Sequence, residues 1–532
     1  MTTNEPTNAL DPLDLSRFSI NRRAAIRRAV FGAGALGVAT AAGWKTPVRA
    51  GELRQATPAA ALLPSLTIDL VAEPPTLDPA LVYDADGWSV IHSVYDALVQ
   101  YGADGRLQPL LAESLRLIDP RTYEIKLRHS ILFHNGEPFD ARSVSASVAH
   151  IVDPATASQV AQLFAVIEGV EEVDPHTVRF HLSRPAPWLP AQMAPWLVMV
   201  PPALAGLPDL ASKPVGTGPY RFTSWDRGER MTFTVNETYS LGDVKGTPIA
   251  TDVAYRFVPA ATTRVADLLS GGAGLIRDVP VDQVATVKKE ATVTEQPVSG
   301  SAWIRIPTDV EPFSDVRVRQ ALNAAVDVET IIQALLDGAG SRLPNFFVEG
   351  GLGFDPALTA IPYDPDRARA LLTEAGLSEG FETTLAYTND ERDDVVTAIA
   401  GQLADVGIRA TLQPVEKATF NATWTDPKAA PLRFSTWRPL FDPYTLLDLV
   451  FSAKGYLSRH DNPTVQALID AAAVETDDAE RSAAYQRLGA VLRDEPAAIY
   501  LYSLTARYGV DSSVAAWSPR PDDYVIPTTG TR

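Results

Sequence analysis

An α/β protein with two lobes of unlike texture is expected from three observations. From Leu66 to about residue 258, short apolar runs alternate in the two-residue period of strands, whereas beyond residue 260 helical and strand patterns take turns. The chain also has 532 residues, 46% of them hydrophobic, which is more than one core organises.

The elements follow in order. Leu66–Val71 is a short apolar run of strand type. Tyr123, Ile125 and Leu127 alternate, as do Val178, Phe180 and Leu182, then Met231, Phe233 and Val235, so each strand has one face for a core. Asp140 stands at an N-cap position before Val144, Val148 and Ile151, which share a helix face. Ser314 precedes a helical pattern of Val318, Leu322, Ala325, Ile332 and Leu336 that stops at Gly338. Asp364 with Pro365 opens another helix, its inward side formed by Ala368, Leu371, Leu372 and Ala375, with Gly376 as terminator.

Thr384–Tyr387 as strand, Asp390–Asp405 as helix and Ile408–Val415 as strand compose a βαβ unit, whose right-handed crossover packs the helix on a parallel sheet. Helices over about Pro463–Ala473 and Asp478–Asp494 lead to a last apolar run, Ala498–Leu504.

Composition removes several classes of function. There is no cysteine, which excludes disulfides, thiol catalysis, cysteine-based metal centres and cysteine-linked lipid anchors. Residues 1–50 hold seven of the 46 Lys and Arg and three of the 65 Asp and Glu, so residues 51–532 carry 39 − 62 = −23 charges. So acidic a chain, without a basic run after Lys45, is a poor partner for nucleic acid.

The N-terminal residues look like an export signal. Arg22-Arg23 and Arg27-Arg28 precede the small and apolar stretch Ala29–Gly43 and then Val48-Arg49-Ala50, which has the form of a cleavage site. The arginine pairs resemble a twin-arginine signal, and fifteen apolar residues fall short of a membrane span. Residues 51–65 read as a flexible leader.

Catalytic signatures are missing: the sequence has no Gly-x-Ser-x-Gly elbow, His-Glu-x-x-His or phosphate loop, and Glu171-Glu172 and Asp477-Asp478 are adjacent pairs that diverge on any regular element. An exported hydrolase is the rival reading from another class. The seven histidines, His92, His129, His134, His150, His176, His181 and His460, form no tract of metal-ligand spacing, so neither cofactor nor resident metal is expected.

Five blocks carry a resemblance. They are Pro75-Thr76-Leu77-Asp78-Pro79; Val94–Val99 with Gly105–Ala112; Tyr123–Arg128 with Phe133–Ala141; Gly216-Thr217-Gly218-Pro219-Tyr220; and Phe313–Leu322. In order and spacing the chain resembles the peptide/nickel class of extracytoplasmic solute-binding proteins, family 5, the receptors of ATP-driven ABC importers.

The resemblance implies a two-lobe periplasmic-binding-protein clamp of type II-like form with an enlarged first lobe. Residues 66–258 plus 500–526 would form lobe I and residues 263–497 lobe II, with a hinge near 258–262 and 497–499. A peptide or peptide-sized solute would be enclosed between the lobes of a periplasmic monomer and handed to the permease subunits of the inner membrane. An opine, metal chelate or other anionic solute is the alternative ligand.

By the same resemblance Thr436–Tyr444 faces the ligand, with Trp437 and Phe441 lining the cavity; both are equally compatible with a core. Peptide receptors of this class carry an acid in this segment that holds the peptide's ammonium group, whereas Leu440 or Arg438 stands there in this chain. Arg438 pointing inward would favour a carboxylate or phosphate. Tyr83, Trp88, Tyr502 and Thr505 fall where first-lobe residues of relatives approach ligand.

Overall fold

The computed structural model describes residues 62–389 and 391–530. The export signal and nearly all of the leader lie outside the described residues. Strand Leu63–Leu70 begins three residues ahead of the expected Leu66, because Leu63 and Ser65 already pair in parallel with Ala250 and Asp252.

One ten-stranded mixed sheet runs through both lobes. Its order is Ile408–Val415, Phe381–Thr388, Leu432–Trp437, Thr292–Arg305, Ala498–Val510, Leu275–Arg277, Leu63–Leu70, Ala250–Phe257, Arg230–Val235 and Tyr220–Asp226. A separate four-stranded antiparallel sheet, Ala112–Asp119, Thr122–Leu127, Thr177–Leu182 and Ile167–Asp174, enlarges the first lobe. Its alternating residues Tyr123, Ile125, Leu127, Val178, Phe180 and Leu182 are all buried, as the period-two pattern requires.

The first-lobe core runs from Leu66 and Ile68 to Tyr524, Val525 and Ile526 of the C-terminal tail. The second lobe has two cores. One surrounds Ile304, Leu322, Leu385 and Ile399; the other surrounds Trp303, Phe346, Phe451 and Tyr485.

Two long strands join the lobes. Thr292–Pro297 pairs with Thr505–Val510, whose far end also pairs with Leu275–Arg277 in the first-lobe part of the sheet. Ser301–Arg305 pairs with Ala498–Ser503 and with Arg433–Trp437 in the second-lobe part. Between them the register breaks, leaving Val298, Ser299 and Gly300 as a bulge.

Residues 258–262 lead into helix Ala261–Ser270, which packs with strand Leu275–Arg277 around Val265, Leu268, Ile276 and Val287, still beside lobe I. Residues 497–499 lie within second-lobe pairing. The strand segments Thr292–Pro297 and Thr505–Val510 thus pair on the first-lobe side, an arrangement set by long-range pairing and invisible in local patterns.

The helix expected from Ser314 to Gly338 is two helices. Asp315, not Ser314, caps Val316–Ala324 by accepting from Arg317 N at 2.8 Å. Asp327 then accepts from Thr330 N at 3.0 Å and starts Val328–Leu335. Asp140, Asp364 and Asp477 cap helices Ala141–Val152, Pro365–Glu374 and Asp478–Asp494. The βαβ unit forms as Phe381–Thr388, Asp393–Asp405 and Ile408–Val415, with the strands parallel.

The Gly216-Thr217-Gly218 block is structural. A Cβ on Gly216 or Gly218 would lie 2.1 or 2.6 Å from Val94 O, so only glycine lets this chain close on the end of helix Ala85–Val94. Among the described residues, no helix is long and apolar enough to cross a membrane.

Candidate ligand cleft

The segment after strand Leu432–Trp437 is sewn onto the interlobe bulge. Leu440 N donates to Ser299 O at 2.8 Å, and Ser299 N donates to Pro521 O at 3.0 Å, so bulge, second-lobe loop and first-lobe tail meet in one place. Gly300 makes the contact possible: a Cβ there would lie 2.9 Å from Trp437 O and 3.0 Å from Arg438 Cβ.

The expected residues separate along this loop. Trp437 is half-buried against the second-lobe core around Trp303. Phe441 stacks on Tyr101 of lobe I, with ring centroids 3.9 Å apart, and lies under Gly105. Leu440 is buried. Asp442 accepts from Tyr444 N at 2.9 Å, closing the Asp-Pro turn, and forms a buried ion pair with Arg481. Tyr444 then stacks on Trp188 at 3.9 Å and 7°, and its hydroxyl accepts from Arg184 at 2.8 Å.

Arg438 turns to the first lobe and forms an ion pair with Asp523 while 33% of its side chain stays accessible. Asp523 is wholly buried, takes Arg277 as a second cation and accepts from the Tyr508 hydroxyl at 2.6 Å. Arg277 also pairs with Asp86 at 2.8 Å, and Asp86 accepts from Ala72 N at 2.8 Å. Only part of the Arg438 guanidinium is left to face a ligand, which narrows the expectation of a bidentate anion clamp.

Other expected contacts lie in cores. Trp88 is 4% exposed, donates Nε1–H to Val82 O at 3.0 Å and packs against Trp196 and Tyr524. Tyr502 is buried in the second-lobe core. Both pack in cores, with their rings largely covered by protein. Thr505 is half-buried on the connecting strand opposite Pro297. Tyr83 is half-buried; its hydroxyl donates to Ala80 O and accepts from Gln159 N, each at 2.8 Å.

Two residues that sequence reading does not single out are Tyr456 and Asp278. Tyr456 is 51% exposed, yet burial by surrounding protein and the nearby Tyr83 across the lobes push its phenol up. It is presented by a π-helical turn, Leu447–Phe451, and by Gly455, whose Cβ would lie 2.3 Å from Leu449 O. Asp278 keeps 52% of its side chain accessible, and burial, the largest effect, pushes its carboxyl above the usual range despite Arg277. No motif announces either residue; the strand end Ile276-Arg277-Asp278 reads as ordinary.

The sequence profile of the bacterial extracellular solute-binding proteins, family 5 Middle, matches residues 106–458. The chain belongs to that family. This solute-binding protein is 30% identical over 353 residues to the glutathione-binding protein GsiB of Pectobacterium atrosepticum, covering 64% of this chain and 67% of that one. It is 25% identical over 481 residues to the probable D,D-dipeptide-binding periplasmic protein DdpA of Escherichia coli, covering 86% and 92%. In structure it is similar to NikA from Brucella suis in complex with Fe(III)-EDTA, with a TM-score of 0.78, 25% identity, and coverage of 88% of this chain and 100% of that one. The two-lobe α/β clamp is thus the architecture of this family 5 protein.

Proposed function

We propose that this solute-binding protein is the receptor of an ABC importer that captures a peptide or peptide-sized solute between its lobes and presents the closed form to a membrane permease. One observation carries the reading: both lobes hang on the strand pair Thr292–Arg305 and Ala498–Val510, whose pairing fails at Val298–Gly300, beside the loop that meets both lobes. A break in a strand ladder that joins two lobes is where two rigid bodies can rotate. Relatives that bind glutathione and D,D-dipeptides support a peptide-like solute.

The accessible part of Arg438 favours a second reading, an anionic solute such as an opine or a metal chelate. We further propose export through residues 1–50 by the twin-arginine route, a periplasmic monomer, and binding without turnover.

A thermal-shift panel of di- and tripeptides, opines, sugars and metal chelates tests this. A ligand of one class raises the unfolding midpoint through mass action and is recovered unchanged. No stabilisation by any class, or release of product over hours, overturns the proposal.

A further inference from the structure

A small cavity in the first-lobe core has a polar wall. Its volume is about 10 Å³, and His92, Gln100, Lys245, Arg520 and Asp522 line it, each more than nine-tenths buried. They come from helix Ala85–Val94, strand Val99–Tyr101, the short helix Gly242–Lys245 and the C-terminal tail.

This wall leaves hydrogen bonds unmade. Gln100 Nε2 donates to Val244 O at 3.0 Å, while its Oε1 is buried and has no partner among the described residues. Arg520 spends Nε and Nη2 on Asp522 and on Tyr101 O, while its Nη1 is buried and equally unpartnered. Lys245 Nζ donates to Tyr95 O at 2.9 Å and to Asp96, which uses two of its three N–H groups. His92 is already engaged, with Nε2 3.3 Å from Pro195 O and its ring stacked on Tyr524 at 4.7 Å. One acceptor and two donors thus border a single small space, and buried polar groups are rarely left unpaired.

We propose that this cavity binds one internal water molecule, which accepts from Arg520 Nη1 and Lys245 Nζ and donates to Gln100 Oε1. The fit is chemical as well as steric. Two lone pairs match the two N–H donors, an O–H matches the amide oxygen, and about 10 Å³ with three partners is what a buried water requires. A halide accepts but has no proton for Gln100 Oε1, and Asp96 and Asp522 already neutralise both cations. A metal or ammonium ion is repelled by Lys245 and Arg520. The water fastens the tail beside the residues that meet the second lobe, since Pro521 O accepts from Ser299 N and Asp523 pairs with Arg438.

A high-resolution crystal structure of the purified protein tests the site. An oxygen peak about 2.7–3.2 Å from each of Gln100 Oε1, Arg520 Nη1 and Lys245 Nζ is expected. No peak there, or an anomalous peak in its place after a bromide soak, overturns the proposal. Oxygen-17 relaxation dispersion counts long-lived internal waters in solution, and Gln100→Leu, which removes the acceptor, is expected to show one fewer than the wild type. An equal count in folded Q100L overturns the bridge to Gln100. The wild-type crystal decides the site whether or not the variant folds.

Discussion

Arg438 of the second lobe and Asp523 of the C-terminal tail form an ion pair that spans the two lobes, and Asp523 simultaneously holds the buried Arg277. The partners are unequal. Asp523→Asn leaves the inner arginine short of charge and is expected to cost about 3–5 kcal/mol of stability. Arg438→Gln removes the more exposed partner and is expected to cost below ~1 kcal/mol. Chemical denaturation of both variants measures the difference; equal losses would contradict this division.

Gly300→Val places side-chain atoms where even a Cβ is 2.9 Å from Trp437 O and from Leu504 Cδ1. Overpacking of this kind costs about 1–3 kcal/mol. The displaced loop also carries Trp437 and Arg438, so ligand affinity is expected to fall with stability. Isothermal titration alongside denaturation checks both.

Phe441 and Trp437 lie four residues apart but are expected to respond differently. Phe441→Ala removes the stack on Tyr101 and is expected to lower stability by about 1–3 kcal/mol. Trp437→Ala is expected to weaken ligand binding by roughly 1–3 kcal/mol with a smaller stability change. Unchanged affinity in a folded W437A protein removes Trp437 from the site.

His134 gives the fold an acid limit. Its Nε2 lies 3.0 Å from Gly218 O, and Gly216 N donates to its Nδ1 at 3.4 Å, so the network assigns a neutral ring with its proton on Nε2. Burial, the largest cause, lowers its pKa from 6.5 to about 4. The unfolded chain then binds more protons between those values, so this part of the stability is complete above pH 6.5 and is lost as pH falls to 4. His92 and His460, also buried and lowered, act in the same direction. Thermal midpoints across this range are expected to fall less steeply in His134→Gln; an unchanged slope would contradict the assignment.

Much of the fold is legible because its determinants are local. Asp140, Asp364 and Asp477 cap their helices, Gly376 and Gly407 adopt positive φ, and the βαβ pattern of residues 381–415 needs no distant partner. Ser314 misleads because Asp315 competes one residue later and Asp327 starts a second helix inside one continuous apolar pattern. Which parts of the two long strands pair with which neighbours is not legible in local patterns, since it depends on distant partners.

The same limit applies to the cleft. The Thr436–Tyr444 loop could be found by its resemblance, but Asp523, in a tail of polar and aromatic residues, is buried only because Arg277, Arg438 and Tyr508 converge on it from three separate elements.

Small-angle X-ray scattering with and without a captured solute tests the central claim most directly. Rotation about the break at Val298–Gly300 predicts a smaller radius of gyration and a shorter maximum dimension on ligand binding. Identical scattering profiles at saturating ligand would contradict a hinge there.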